Sequence, residues 1–158
     1  MLRRLDVTIA PHTGVSIALA SFCYGSHMSS FTKPLLVEIT QTEEAGRTLA
    51  RLLADFEYHI GELGSDDVVK VKKGFKTDFA SVPRVLWWLC PPLGRYGKAT
   101  VVHDWGYERQ DRLRGEYDMI FLEGMNVLGV PLWKRSLMYT AVRLFGGWEW
   151  KGRKKSRS

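Results

Sequence analysis

At 158 residues and 45% hydrophobic content, the chain holds enough apolar material for one domain with a substantial core. No stretch approaches the roughly 20 apolar residues of a membrane-spanning helix, which excludes a helical membrane span. The formal net charge of +6 is concentrated in segment 151–158, where Lys151, Arg153, Lys154, Lys155 and Arg157 lie. Without that segment the body is nearly neutral, at about +1, so contact with nucleic acid rests on the basic end alone.

In chain order, residues 1–27 read as an extension or a loosely held arm. Arg3-Arg4 followed by Gly14 to Ala20 faintly resembles a secretory signal, but Asp6 and Pro11 interrupt it and no clean cleavage site follows; Met28 is an alternative start. Cys23 and Cys90 form neither a metal-spaced pair nor a disulfide framework, which fits a reducing compartment. A single α+β domain is expected over 28–150. Its first half reads as β: Leu35 to Thr40 has strand composition, Glu43 to Arg47 is a polar turn, and Val68 to Lys72 is a short strand. Thr48 to His59 is ambiguous, with helical spacing at Leu49, Leu52, Leu53 and Phe56 and strand alternation from Phe56 to Ile60. Some strand is expected at its end. A small antiparallel sheet results.

Ser81, two residues before Pro83, suits the cap of a short apolar helix over Val85 to Leu89 better than a nucleophile; no Gly-x-Ser-x-Gly elbow surrounds it. Asp78 stands where the sheet hands over to the helices. It reads equally as a turn-stabilising aspartate or as a metal ligand. Gly94 to Gly97 is a turn leading into a helix that carries His103 and ends near Arg109 or Gln110. A turn over Asp111 to Gly115 precedes a second helix running to about Val127. A third helix starts near Pro131, presents Trp133, Leu137, Ala141 and Leu144 as a core stripe, and is expected to stop at Gly146-Gly147, leaving 151–158 as a disordered basic tail. The fold class is therefore α+β, with the small antiparallel sheet packed against three or four helices.

The chemistry gathers on the two central helices. Asp118, Phe121, Leu122 and Met125 share one helical face that looks like core, so Asp118 points inward and needs partners. His103 and Tyr107, at i and i+4, can point the same way. A turn centred near Asp111 brings Asp118 level with both; a turn nearer Gly115 brings it to Tyr107 alone. In the first register Asp118 orients the His103 ring and stabilises its protonated form, leaving the other ring nitrogen to act as a general base. Asp104, about 100° round the helix from His103, points instead toward the sheet side, where it could join Asp78 around calcium or magnesium. The plainer reading makes His103, Tyr107 and Asp118 a satisfied buried network that holds the helices in register.

Two resemblances arise at these residues. Gly74-Phe75-Lys76-Thr77-Asp78-Phe79-Ala80-Ser81-Val82-Pro83-Arg84, then Val102-His103-Asp104-Trp105-Gly106-Tyr107, then Asp118 and Arg143-Leu144-Phe145-Gly146, resemble the signature of the domain-of-unknown-function 1353 family of phages and prophages. That family carries no settled activity and usually starts near Met28. The resemblance implies a bacterial host cytoplasm or a virion as location, and phage proteins or cell-envelope components as partners. Locally, His103 to Tyr107 followed by Asp118, Phe121 and Met125 is similar to the paired helices of secretory calcium-dependent phospholipases. That likeness implies His103 activating water, Asp104 binding calcium, and Tyr107 with Asp118 supporting the histidine. The disulfides and a clear glycine-rich calcium loop of those enzymes are missing here.

Two functional expectations follow. One is a metal-assisted hydrolase of an ester or cell-envelope substrate, with His103, Asp118 and Tyr107 as catalytic group and Asp104 with Asp78 holding calcium, magnesium or zinc. The other is a non-enzymatic phage structural or accessory protein in which the cluster is architecture.

Overall fold

In the computed structural model, residues 15–19, 31–40, 49–77 and 94–156 are described. The chain divides into two compact units, residues 1–78 and 79–158. Strands lie in the first and helices in the second, an α+β arrangement as the sequence leads one to expect.

The first unit holds β1 (Val15–Leu19), β2 (Leu35–Thr40), β3 (Leu49–Leu52), β4 (Phe56–His59), β5 (Val68–Val71) and β6 (Lys76–Thr77). They form a four-stranded sheet in the order β1-β2-β3-β6 and a two-stranded ribbon of β4 and β5, with every pairing antiparallel. The ambiguous stretch from Thr48 to His59 thus supplies two strands, broken after Leu52. Period-two alternation explains their register: Leu35 and Val37, Ala50 and Leu52, Phe56 and Tyr58, and Val69 and Val71 are buried, while the residues between them are more exposed. Phe31 stacks on Phe56 and tilts against Tyr58, with ring centroids 5.7 and 4.4 Å apart. Within segment 1–27, β1 pairs along β2 from Val15–Ile39 to Leu19–Leu35.

The second unit holds α1 (Gly97–Arg109), α2 (Arg114–Val127) and α3 (Leu132–Ser156). Helix α1 ends on Gln110 in the left-handed region (φ 51°), whose N–H reaches the Gly106 carbonyl at 2.8 Å. The turn to α2 is therefore tight and centred near Asp111. Gly106 is what lets the two helices touch: a Cβ there would lie 2.0 Å from the Tyr117 ring. Glu116 accepts the Leu113 N–H at 2.9 Å and closes the start of α2.

Helix α3 departs from expectation twice. It does not stop at Gly146-Gly147 but continues to Ser156, taking in most of the segment expected to be a disordered tail. Two glycines cost a helix about 2 kcal/mol relative to alanine, which packing can offset, and Gly146 lies where a Cβ would be 2.5 Å from the Tyr107 hydroxyl. The basic residues that follow also suit the negative end of a helix dipole. Second, the stripe expected to be core is only partly so: its Ala141 is buried, with Met138 and Val142 beside it, and its Leu137 is half-buried, whereas Trp133 and Leu144 are exposed. The buried face is rotated from the apolar one because α3 aims Arg143, Gly146 and Trp150 at the polar centre of the unit. No helix among the described residues is long and apolar enough to cross a membrane. The expected helix over Val85 to Leu89, with Ser81 as cap, lies outside the described residues.

Candidate functional site

Helices α1 and α2 run in the register that brings Asp118 to both candidate partners. The His103 Nε2 lies 3.0 Å from Asp118 Oδ1, and the Tyr107 hydroxyl donates to the same oxygen at 2.7 Å. The i, i+4 spacing of His103 and Tyr107 on α1 puts both groups on one face, and their rings tilt together with centroids 4.2 Å apart. Phe121, one turn along α2 from Asp118, covers the His103 ring at 5.0 Å. Trp150 of α3 meets the Tyr107 ring edge-on at 5.1 Å.

The second carboxylate oxygen belongs to arginines that the sequence reading did not place in the site. Arg143 Nη1 donates to Asp118 Oδ2 at 2.9 Å, and Arg114 Nε stands 3.9 Å from the same atom. Both were accessible to reasoning. Arg114 is four residues before Asp118 on one helix, an ordinary ion-pair spacing, and Arg143 opens the Arg143-Leu144-Phe145-Gly146 motif. The α3 contribution was hidden because the apolar stripe pointed the helix the other way.

The electrostatics follow from these contacts. Asp118 is fully buried. Burial pushes its carboxyl pKa up, but hydrogen bonds from His103, Tyr107 and Arg143 outweigh that and hold it below its ordinary value. Tyr107 is pushed up, first by burial and then by its bond to the carboxylate, so it stays a neutral donor. The bond to Asp118 also raises Arg143. An ionised carboxylate only accepts hydrogen bonds, so His103 Nε2 must carry the hydrogen between it and Asp118. In the neutral ring the hydrogen then sits on Nε2 and not on Nδ1.

Asp104, next to His103 in sequence, is buried as well. Asp78 lies outside the described residues. Among the described residues, no three His, Cys, Asp or Glu side chains come together as a cation site. Of the expected calcium, magnesium or zinc ligands, Asp104 alone can be placed.

The family model for proteins of unknown function designated DUF1353 matches residues 50–142. That interval contains His103, Asp104, Tyr107, Arg114 and Asp118 and stops just before Arg143. An uncharacterized protein of Sinorhizobium fredii, y4jT, is 31% identical over 150 residues, covering 91% of this chain. The chain spans 41% of that relative's length. No solved structure matches.

Proposed function

This chain belongs to the DUF1353 family, and we propose that it is a phage-encoded hydrolase in which His103 is the general base acting on an ester or cell-envelope substrate. The observation that carries this reading is the 3.0 Å bond from His103 Nε2 to a carboxylate held ionised, which fixes the ring tautomer with its hydrogen on Nε2. In the reaction, Nδ1 takes a proton from water as the water oxygen bonds to the ester carbonyl carbon. The imidazolium so formed is balanced by Asp118, and its proton passes to the departing alcohol oxygen as the ester C–O bond breaks. Tyr107, Arg143 and Arg114 are positioning residues: they keep Asp118 charged and aligned without touching substrate. In the same reading Asp104, with Asp78, would hold a divalent cation, calcium first, with magnesium or zinc as alternatives.

Hydrolysis of a fluorogenic short-chain ester and of phosphatidylglycerol vesicles tests the base. Wild-type protein should turn over one of them, and His103→Gln should lose about 10²–10⁴-fold in rate while unfolding at a similar temperature. Equal rates in wild type and variant would overturn the assignment. Calorimetric titration with calcium, magnesium and zinc tests the cation separately: Asp104→Ala should abolish binding, and absence of binding to wild type would remove the metal from the reading.

A second reading is favoured by burial. His103 is 1% and Asp118 0% exposed, and among the described residues every buried side-chain nitrogen and oxygen has a partner. A satisfied, sealed network of this kind is what a non-enzymatic phage structural or accessory protein would use to lock three helices together. Neither ester turned over, with His103→Gln only less stable, is the result that would favour it.

A further inference from the structure

Where the α1–α2 turn meets the late turns of α3, the helical unit opens into a cleft of about 690 Å³. Gln110, Arg112, Leu113, Arg114, Gly147, Trp150 and Lys151 line it. Three of the seven are permanently or normally cationic and none is acidic. Of the carboxylates close by in sequence, Asp111 accepts the Tyr117 hydroxyl, Glu116 accepts the Leu113 N–H at 2.9 Å, and Asp118, which faces His103, Tyr107 and Arg143, also stands 3.9 Å from Arg114 Nε. Because Glu116 already occupies the start of α2, attraction to an anion here comes from the side-chain cations.

The cleft is also shaped. Gly147 forms one wall, and a Cβ at that position would stand 3.2 Å from Arg114 Nη1, so the absent side chain keeps the guanidinium reachable. Arg114 is held from behind: Nη1 and Nη2 each lie 3.4 Å from the Arg143 carbonyl, and Nε faces Asp118 at 3.9 Å. Those long contacts leave a planar five-donor group with capacity for a second acceptor. Gln110 Nε2 donates to the Trp150 carbonyl at 2.7 Å and ties the turn to α3 across the cleft. The volume falls within the range of small-molecule sites and exceeds what a bare anion fills.

We propose that this cleft binds a phosphate-bearing ligand, its phosphate between Arg112, Arg114 and Lys151 and its organic part against Trp150 and Leu113. Either a soluble phosphomonoester or the headgroup of an anionic phospholipid supplies that chemistry. The cleft shares Arg114 and Trp150 with the Asp118 cluster, but its test reads binding through Arg112 and Lys151, so its failure is distinguishable from that of the hydrolase reading.

Two probes separate the sources: glycerol 3-phosphate by calorimetry, and phosphatidylglycerol vesicles, with phosphatidylcholine vesicles as control, by flotation. Full-length wild type is compared with Lys151→Gln and Arg112→Gln, which leave His103, Tyr107, Asp118, Arg114 and Arg143 in place. Saturable one-to-one binding of glycerol 3-phosphate, weakened roughly tenfold in each variant and reduced by added salt, would support a soluble ligand. Flotation with phosphatidylglycerol alone, weakened in the same variants, would support a lipid headgroup. Binding to neither probe, or binding that both variants leave unchanged, would overturn the proposal. Lys151 is exposed near the end of α3, so its substitution keeps the test informative even where Arg112→Gln disturbs the turn.

Discussion

A carboxylate with no solvent contact, as Asp118 has, stays ionised only because donors replace the water it lost. His103 and Tyr107 fill one oxygen and Arg143 the other, and removing the acceptor strands the buried His103 and Tyr107 groups, while Arg143 still reaches water. Asp118→Ala should therefore cost about 1–3 kcal/mol for each of these two donors left unpaired, measured by urea unfolding. The same contacts set a pH dependence. The Asp118 pKa in the folded protein lies below the ordinary 3.8. Between those two values the unfolded chain binds a proton that the native protein does not, so stability rises with pH through that window. It is complete above about pH 5 and is lost as pH falls through the folded value. Asp118→Asn cannot show this step. The gap in unfolding temperature between wild type and Asp118→Asn should be widest near neutrality and narrow on acidification. A gap that stays constant with pH would mean that the carboxylate's charge contributes nothing.

Between elements, the fit of the helices depends on where glycine stands, and Gly106, Gly146 and Gly152 act differently. Gly106 gives the Tyr117 ring its place, and that ring is buried and anchored to Asp111 through its hydroxyl, so it cannot swing away. Gly106→Ala should destabilise by at least about 1–3 kcal/mol through overpacking of α1 on α2. Gly146 approaches the Tyr107 hydroxyl, so Gly146→Ala should both destabilise and disturb the Tyr107–Asp118 bond. Gly152 meets nothing within 4 Å. In helical backbone with open space around it, Gly152→Ala should stabilise by up to about 1 kcal/mol, less if the helix end frays. Thermal unfolding of the three alanine variants checks the ordering, and a stabilising Gly146→Ala would contradict the close packing of α3 on Tyr107. The same comparison explains why a Gly-Gly pair was a misleading stop signal. Sequence spacing reports what glycine costs a helix locally, whereas only the packed structure reveals the neighbour that needs the missing Cβ.

For the whole molecule, the class of fold was legible because it depends on short-range periodicity: alternation marks β2, β4 and β5, and the Asp118–Phe121–Met125 face marks α2. The His103–Tyr107–Asp118 meeting was legible up to one unknown, the position of the turn, which Gln110 resolves by adopting φ 51°. The arginine half of the site was not, since it depends on which side of α3 turns inward. The placement of these charges in space was equally out of reach. The sequence places five cations after Trp150, but it does not show that α3 carries the backbone on to Ser156 or that Lys151 joins Arg112 and Arg114 around a cleft. This difference yields a measurable consequence. Truncation after Gly152 removes Arg153, Lys154, Lys155 and Arg157 and leaves a net charge of about +2, while keeping every residue that lines the cleft. If the helix end is the main attraction for polyanions, the truncated protein should elute from immobilised heparin at clearly lower salt than the full chain. Its affinity for glycerol 3-phosphate should be unchanged, because the cleft is intact. Elution at the same salt would locate the polyanion contact in the body of the helical unit, where Arg112, Arg114 and Lys151 form the cationic cluster.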